Sequence, residues 1–226
     1  MPRSVIAPAA TASVDPQKDS AGWARHSMLV AGAEIGERLF DENGRLRREA
    51  SLQRGHRHGW TLEFSPTGVL ESAGTWTLGT ECGTRYQFQE NGVLLGTCRF
   101  RAGTGGDLWW ESGLGGPAFL AEARRMRAGR RCGPEWWFSA SGRLWWEQSL
   151  REDLRHGVEW QWGPQGGVAR GFPAFWVNDA RVSRADYFAA SRQDRSLRLP
   201  RPEDRLPSRR FPAVVARALA SRTLNA

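Results

Sequence analysis

Apolar and polar residues alternate along most of this chain, and glycine interrupts the alternation at a fixed step. Gly44, Gly68 and Gly92 lie 24 residues apart, as do Gly55, Gly79 and Gly103. We take Gly44, Gly68, Gly92, Gly113, Gly142 and Gly166 as the first-turn glycines of six units. Four residues before each sits an aromatic: Phe40, Phe64, Phe88, Trp109, Phe138 and Trp162. Six before come Leu62, Tyr86, Trp136 and Trp160, with Arg38 and Asp107 in the remaining units. Two after come Leu46, Leu70, Leu94, Leu144 and Val168. Even offsets place these side chains on one face of a strand. The residues between them, such as Thr61, Glu63, Gln87, Glu159 and Gln161, take the other face. One apolar and one wet face predict an antiparallel sheet. The turns DENG, SPTG, QENG and SASG end in glycine, which supplies the positive φ of a tight hairpin. RGHRHG at 54–59, LGTECG at 78–83 and AGRRCG at 128–133 predict longer second turns. Each unit thus reads as strand, short turn, strand, longer turn.

A period in this range predicts a repeat architecture, which presents an extended surface more readily than a catalytic pocket. The segments FDENGRL at 40–46, FSPTGVL at 64–70, FQENGVL at 88–94 and FSASGRL at 138–144 carry aromatic, glycine and leucine in register. They resemble the MORN repeat in its bacterial variant form, over residues 35–176 in about six units. The departures are an insertion near 113–118 and the eroded sixth motif WGPQGGV at 162–168. The resemblance implies an all-β array: an elongated, single-layer, twisted antiparallel sheet of tandem hairpins. It also implies a protein partner. Many bacterial relatives carry an antitoxin label, so a toxin is the partner the family suggests, and eukaryotic ones act as scaffolds or membrane-associated modules. The expected organisation is a flexible arm over 1–34, repeats over 35–176, and an arginine-rich tail with short helices over 177–226. Phe88, in a central unit, is expected to carry more packing energy than Trp162 at the eroded end.

Charge matters chiefly in the tail. The chain has 226 residues and a formal net charge of +8. Residues 181–226 hold eleven arginines against Asp186, Asp194, Glu203 and Asp204. Arg205, Arg209, Arg210, Arg217 and Arg222 are the candidates for contact with an anionic surface, and anionic lipid is the alternative partner. Nucleic acid is not among the expected partners. Ser183 is placed to cap a helix near 184–192, and LPRPEDRLP at 199–207 reads as extended. In FPAVVARALASR at 211–222, Val214, Val215, Ala218 and Leu219 fall at helical spacing, predicting a cap over the aromatic face with its arginines in solvent. No apolar run approaches membrane-spanning length and no signal-like segment opens the chain, so a cytoplasmic protein is expected. Three cysteines without paired spacing fit a reducing compartment.

Candidate chemistry is sparse. No nucleophile elbow, phosphate loop or metal-ligand spacing is present, so no enzyme, cofactor or metal is expected. His56, His58 and His156 fall in second turns and are expected in solvent. The exception lies on the wet face, where Trp137 and Trp145 have matching parity and Leu108 has the same parity one unit earlier. Exposed aromatics bury large area at low entropy cost, so Trp137, Trp145 and Leu108 are the candidate partner-binding residues.

Overall fold

A computed structural model of the chain describes residues 4, 6, 10–12, 17–18, 22–112 and 116–221. The turn glycine Gly113 and Arg222 lie outside the described residues. The chain divides into two compact units, Met1–Gly103 and Thr104–Ala226. The boundary falls at a hairpin turn inside the repeats.

The first unit contains β1 (Thr11–Ala12), β2 (Gln17–Lys18), β3 (Ala24–Val30), β4 (Ala33–Phe40), β5 (Leu46–Gln53), β6 (His56–Phe64), β7 (Leu70–Thr77), β8 (Thr80–Glu81), β9 (Gly83–Phe88) and β10 (Leu94–Arg101). From β3 onward, strands pair antiparallel in chain order, with β7 meeting both β8 and β9. The second unit contains β11 (Thr104–Ser112), β12 (Ala118–Arg127), β13 (Arg130–Phe138), β14 (Leu144–Arg151), β15 (Leu154–Arg155), β16 (Gly157–Gln161), β17 (Ala174–Val177) and β18 (Ala180–Val182). These also pair antiparallel in sequence. The architecture is an all-β array of hairpins in open antiparallel sheet. It is followed by helices α1 (Arg184–Gln193) and α2 (Ala213–Ala220).

The turns reverse the expected lengths. The second turns are the tight ones. Arg54–Gly55, Leu78–Gly79, Ala102–Gly103 and Ala128–Gly129 each place two consecutive residues at positive φ. That is the two-residue hairpin turn whose twist matches the flanking strands. Apart from Cys82, the rest of each supposed long turn is already strand. Turns of successive hairpins are linked, as where the Gly79 N–H donates to Arg57 O at 2.8 Å and the Gly103 N–H to Glu81 O at 2.8 Å. The first turns are the longer ones. The Gly44 N–H donates to Asp41 O and the Asp41 N–H to Arg45 O, both at 2.9 Å.

A bulge follows the first turns that join paired strands. Register shifts at Leu39/Phe40, Glu63/Phe64 and Trp137/Phe138 insert one extra residue into the second strand. A one-residue slip sends later side chains to the opposite face. Parity counted across a first turn therefore fails beyond the bulge.

Residues 24–34, expected within a flexible arm, form β3 and the start of β4, and β1 and β2 pair with β3. Upstream, Ile6 is buried against Gly36, where an added Cβ would lie 2.8 Å from Ile6 Cγ1. The Ser4 hydroxyl donates to Glu49 Oε1 at 2.6 Å. Ser183 caps α1, its hydroxyl accepting from the Asp186 N–H at 3.1 Å. The segment read as extended contains a 3-10 turn at Pro202–Arg205.

Candidate functional site

In the second unit the two sheet faces differ in what lies on them. One row of cross-strand partners runs Leu108, Ala123, Trp136, Glu147 and Trp160. Partners in register share a face. Leu108, Trp110, Trp136, Phe138, Leu144, Trp160 and Trp162 are all buried. The chain after α1 folds onto this face. The Phe211 ring meets Trp136 at 5.6 Å and Phe138 at 5.3 Å, both edge-on. The Trp162 indole donates to Arg205 O at 2.8 Å. Arg209 donates through Nε to Glu147 Oε2 at 3.0 Å and stands 5.0 Å over the Trp162 ring. The Trp136 indole donates to the same carboxylate oxygen at 3.0 Å. In α2, Val215 is buried, Ala218 and Leu219 are half-buried, and Val214 is 41% exposed. Burial pushes the Glu147 carboxyl upward, against the opposing pull of Arg209 and the Trp136 hydrogen bond.

This placement corrects several expectations. Leu108 is 4% exposed and belongs to the core, so it cannot anchor a partner. Trp109, expected in the aromatic ladder, pairs with Glu122 and takes the opposite face. The insertion explains both. Leu108-Trp109-Trp110 aligns with Trp136-Trp137-Phe138, one position off the alignment that Gly113 suggests. Arg209 is half-buried and internally paired, so it is not a free anionic contact. Arg205, Arg210 and Arg217 are exposed.

The other face carries the row Trp109, Glu122, Trp137, Trp146 and Gln161. Beside it run Asp107, Arg124, Glu135 and Gln148. Trp137 stacks on Trp146, not Trp145, with centroids 4.6 Å apart and planes 23° from parallel. Trp145 occupies the bulge, its ring 5.7 Å from Trp146. Glu159 accepts from the Trp146 indole at 2.9 Å and from the Trp176 indole at 2.6 Å. Arg155 lies 3.5 Å over the Trp176 ring. Trp109, Trp137, Trp145, Trp146 and Trp176 are all half-buried. The contacts of the tail described above all fall on the first face, leaving this one open among the described residues. Sequence parity found Trp137 here and missed Trp109, Trp146 and Trp176. The doublets at 109–110, 136–137 and 145–146 were the available signal.

A cleft of about 470 Å³ lies on the covered side, lined by residues including His156, Ser196, Tyr187, Trp160 and Arg198. His156, expected in solvent, is buried. Its Nδ1 accepts from the Asn178 N–H at 3.2 Å, which leaves the proton on Nε2. Nε2 lies 3.0 Å from Ser196 Oγ, and the Ser196 hydroxyl donates to Asp194 Oδ1 at 2.6 Å. Proton placement here is the reverse of that which activates a serine, whose hydroxyl must donate to an imidazole nitrogen. The cluster ties the β16 hairpin to the loop after α1. Burial, then Arg151, lowers the His156 pKa, and the Ser196 hydrogen bonds hold Asp194 well below the usual carboxylate range. Burial pushes Tyr187 up to about 12.

Neither a protein-family model nor a curated protein matches this chain. Among the described residues no group of His, Cys, Asp and Glu could hold a metal ion. No described helix is long and apolar enough to cross a membrane.

Proposed function

We propose that this is a non-enzymatic repeat protein that binds another protein through the open face of its second unit. The observation that carries the reading is the cluster Trp137, Trp145 and Trp146. These rings stand half-buried on a sheet face whose opposite side is already covered by the chain's own tail. Equivalent positions in the first unit carry polar residues, such as Glu63 and Gln87 at the place of Trp137. Large apolar rings on an uncovered face are an interaction site more readily than a packing requirement. The MORN-like repeat pattern directs the proposal toward a toxin as the partner and the protein toward an antitoxin-like role in a bacterial cytoplasm. The anionic-lipid alternative is the weaker one, because Arg209 is committed to Glu147. The test compares wild type with Trp137→Ala/Trp146→Ala in affinity purification from the host, with melting curves on both. A partner held by wild type and lost by a folded variant supports the reading. A partner retained by the variant, or a variant that unfolds, retires it.

A further inference from the structure

The open face carries Asp107, Glu111, Glu122, Glu135 and Glu159 against Arg124, Arg131 and Arg155, an acidic balance on a basic chain, and this specifies what it would take. Glu122 lies between Trp109 and Trp137 in one cross-strand row. Adjacent strands stand about 4.8 Å apart, so the two tryptophan columns are roughly 9–10 Å apart. That is wider than the roughly 7 Å a planar cation sandwiched between two rings needs, so a cation above Glu122 would stack on one ring at a time. One side of the Trp137 ring is occupied by Trp146, which leaves the other side toward Glu122. Trp109 makes no side-chain hydrogen bond or ring contact among the described residues.

Local charge points the same way. Arg124 is shared among Glu122 at 3.0 Å, Asp107 at 3.2 Å and Glu135 at 3.4 Å, and Glu135 also meets Arg131 at 3.8 Å. It uses Glu122 Oε2, and Oε1 has no hydrogen bond among the described residues. Glu111, on the same strand face as Trp109, is exposed and has no ion pair among the described residues. The same face also shows the contact within the chain, where Arg155 stacks on Trp176 with Glu159 hydrogen-bonded to that indole. Cations are drawn to indole faces, tryptophan best of all, and a neighbouring carboxylate adds to the attraction.

We propose that the Trp109–Glu122–Trp137 row is a docking site for a cationic side chain, arginine or lysine, presented by an extended basic segment of the partner. This rests on the reading that the open face binds protein. The test uses a blocked Ser-Arg-Ser-Arg-Ser peptide, with the same peptide carrying citrulline in place of arginine as the neutral isostere. Indole N–H signals are followed by two-dimensional NMR, assigned from Trp→Phe variants. The arginine peptide should shift the Trp109 and Trp137 signals, and the citrulline peptide should not. Glu122→Gln, checked for an unchanged melting temperature, should weaken binding about tenfold, the loss of one charge-assisted contact. Added salt should weaken binding further. Equal binding of both peptides, or no effect of Glu122→Gln in a folded protein, overturns the proposal. Should the host partner depend on Trp137 and Trp146 while the arginine peptide fails to bind, the cationic inference falls and the broader reading stands. Should no partner depend on those rings, the broader reading falls whatever the peptide does.

Discussion

Replacing Arg209 tests whether the tail is a fixed part of the second unit. Its guanidinium and the Glu147 carboxylate are largely withdrawn from solvent, with Arg209 and Glu147 side chains 12% and 15% exposed. Beyond Glu147 it donates to the Asp204 carbonyl at 2.5 Å, to the Ser208 carbonyl at 3.1 Å and to the Leu206 carbonyl. Arg209→Met keeps the stem and removes the charge. Glu147 is then left buried with only the Trp136 indole as donor. Breaking a buried pair from one side costs about 3–5 kcal/mol. The loss has a ceiling, because the tail can peel away and let water reach Glu147. Peeling forfeits Phe211 on Trp136 and Phe138, and Val215 in its pocket. Each such apolar side chain is worth about 1.5–3 kcal/mol of burial, so the ceiling lies near the direct cost. Two assays follow. Urea melts of Arg209→Met, Glu147→Leu and the double variant form a cycle, and the double should lie within about 1 kcal/mol of wild type, since two apolar side chains leave no orphaned charge. Trypsin should cut Arg209→Met faster at Arg210 and Arg217. Additive single losses, or a protease pattern like that of wild type, would show that Arg209 and Glu147 are merely neighbours.

Trp162→Ala should cost about 3–5 kcal/mol in urea melts and Phe88→Ala distinctly less, since Trp162 is 3% exposed beneath the tail and Phe88 only half-buried. Losses in the opposite order would contradict the covering role of the tail. His156 is held neutral, its folded pKa below the ordinary 6.5, so its contribution is full above that pH and declines as pH falls below it. The fall in melting temperature between pH 7.5 and 5.5 should therefore be shallower for His156→Asn, and an unchanged slope would assign the acid sensitivity elsewhere.

The array was legible because its period is strict. Aromatic, glycine and leucine recur in register, and ladder pairing turns that recurrence directly into hairpins. Three things were not legible. The bulge after a first turn that joins paired strands shifts parity by one, which is why Trp146 and not Trp145 faces Trp137. The insertion in the fourth unit displaces its glycine, which exchanged the faces of Leu108 and Trp109. The fate of the termini depends on contacts between residues far apart in the chain, such as Arg209 with Glu147 and Ile6 with Gly36, and no local pattern encodes these.

Those terminal contacts obey the repeat nonetheless. Glu49 lies five residues after Gly44, and Glu147 five after Gly142. Glu49 is 3% exposed, is paired with Arg38 at 2.8 Å, and accepts from the Ser4 hydroxyl and the Ile6 N–H of the N-terminal segment. Glu147 accepts from Trp136 and from Arg209 of the C-terminal segment. Within its own unit, each terminal segment thus docks on the same repeat position, by giving donors to a carboxylate withdrawn from solvent and an apolar side chain to the sheet. In the units of Gly68 and Gly92, that position holds Ala73 and Thr97, and no terminal segment docks there among the described residues. Glu147, whose carboxyl is pushed upward by desolvation, is the kind of group that ordinarily signals acid–base chemistry. Here the recurrence assigns it to anchorage. A carboxylate so withdrawn from water is costly unless donors cover it; Arg38 and Trp136 supply part of that cover from the sheet, and each terminal segment adds donors of its own.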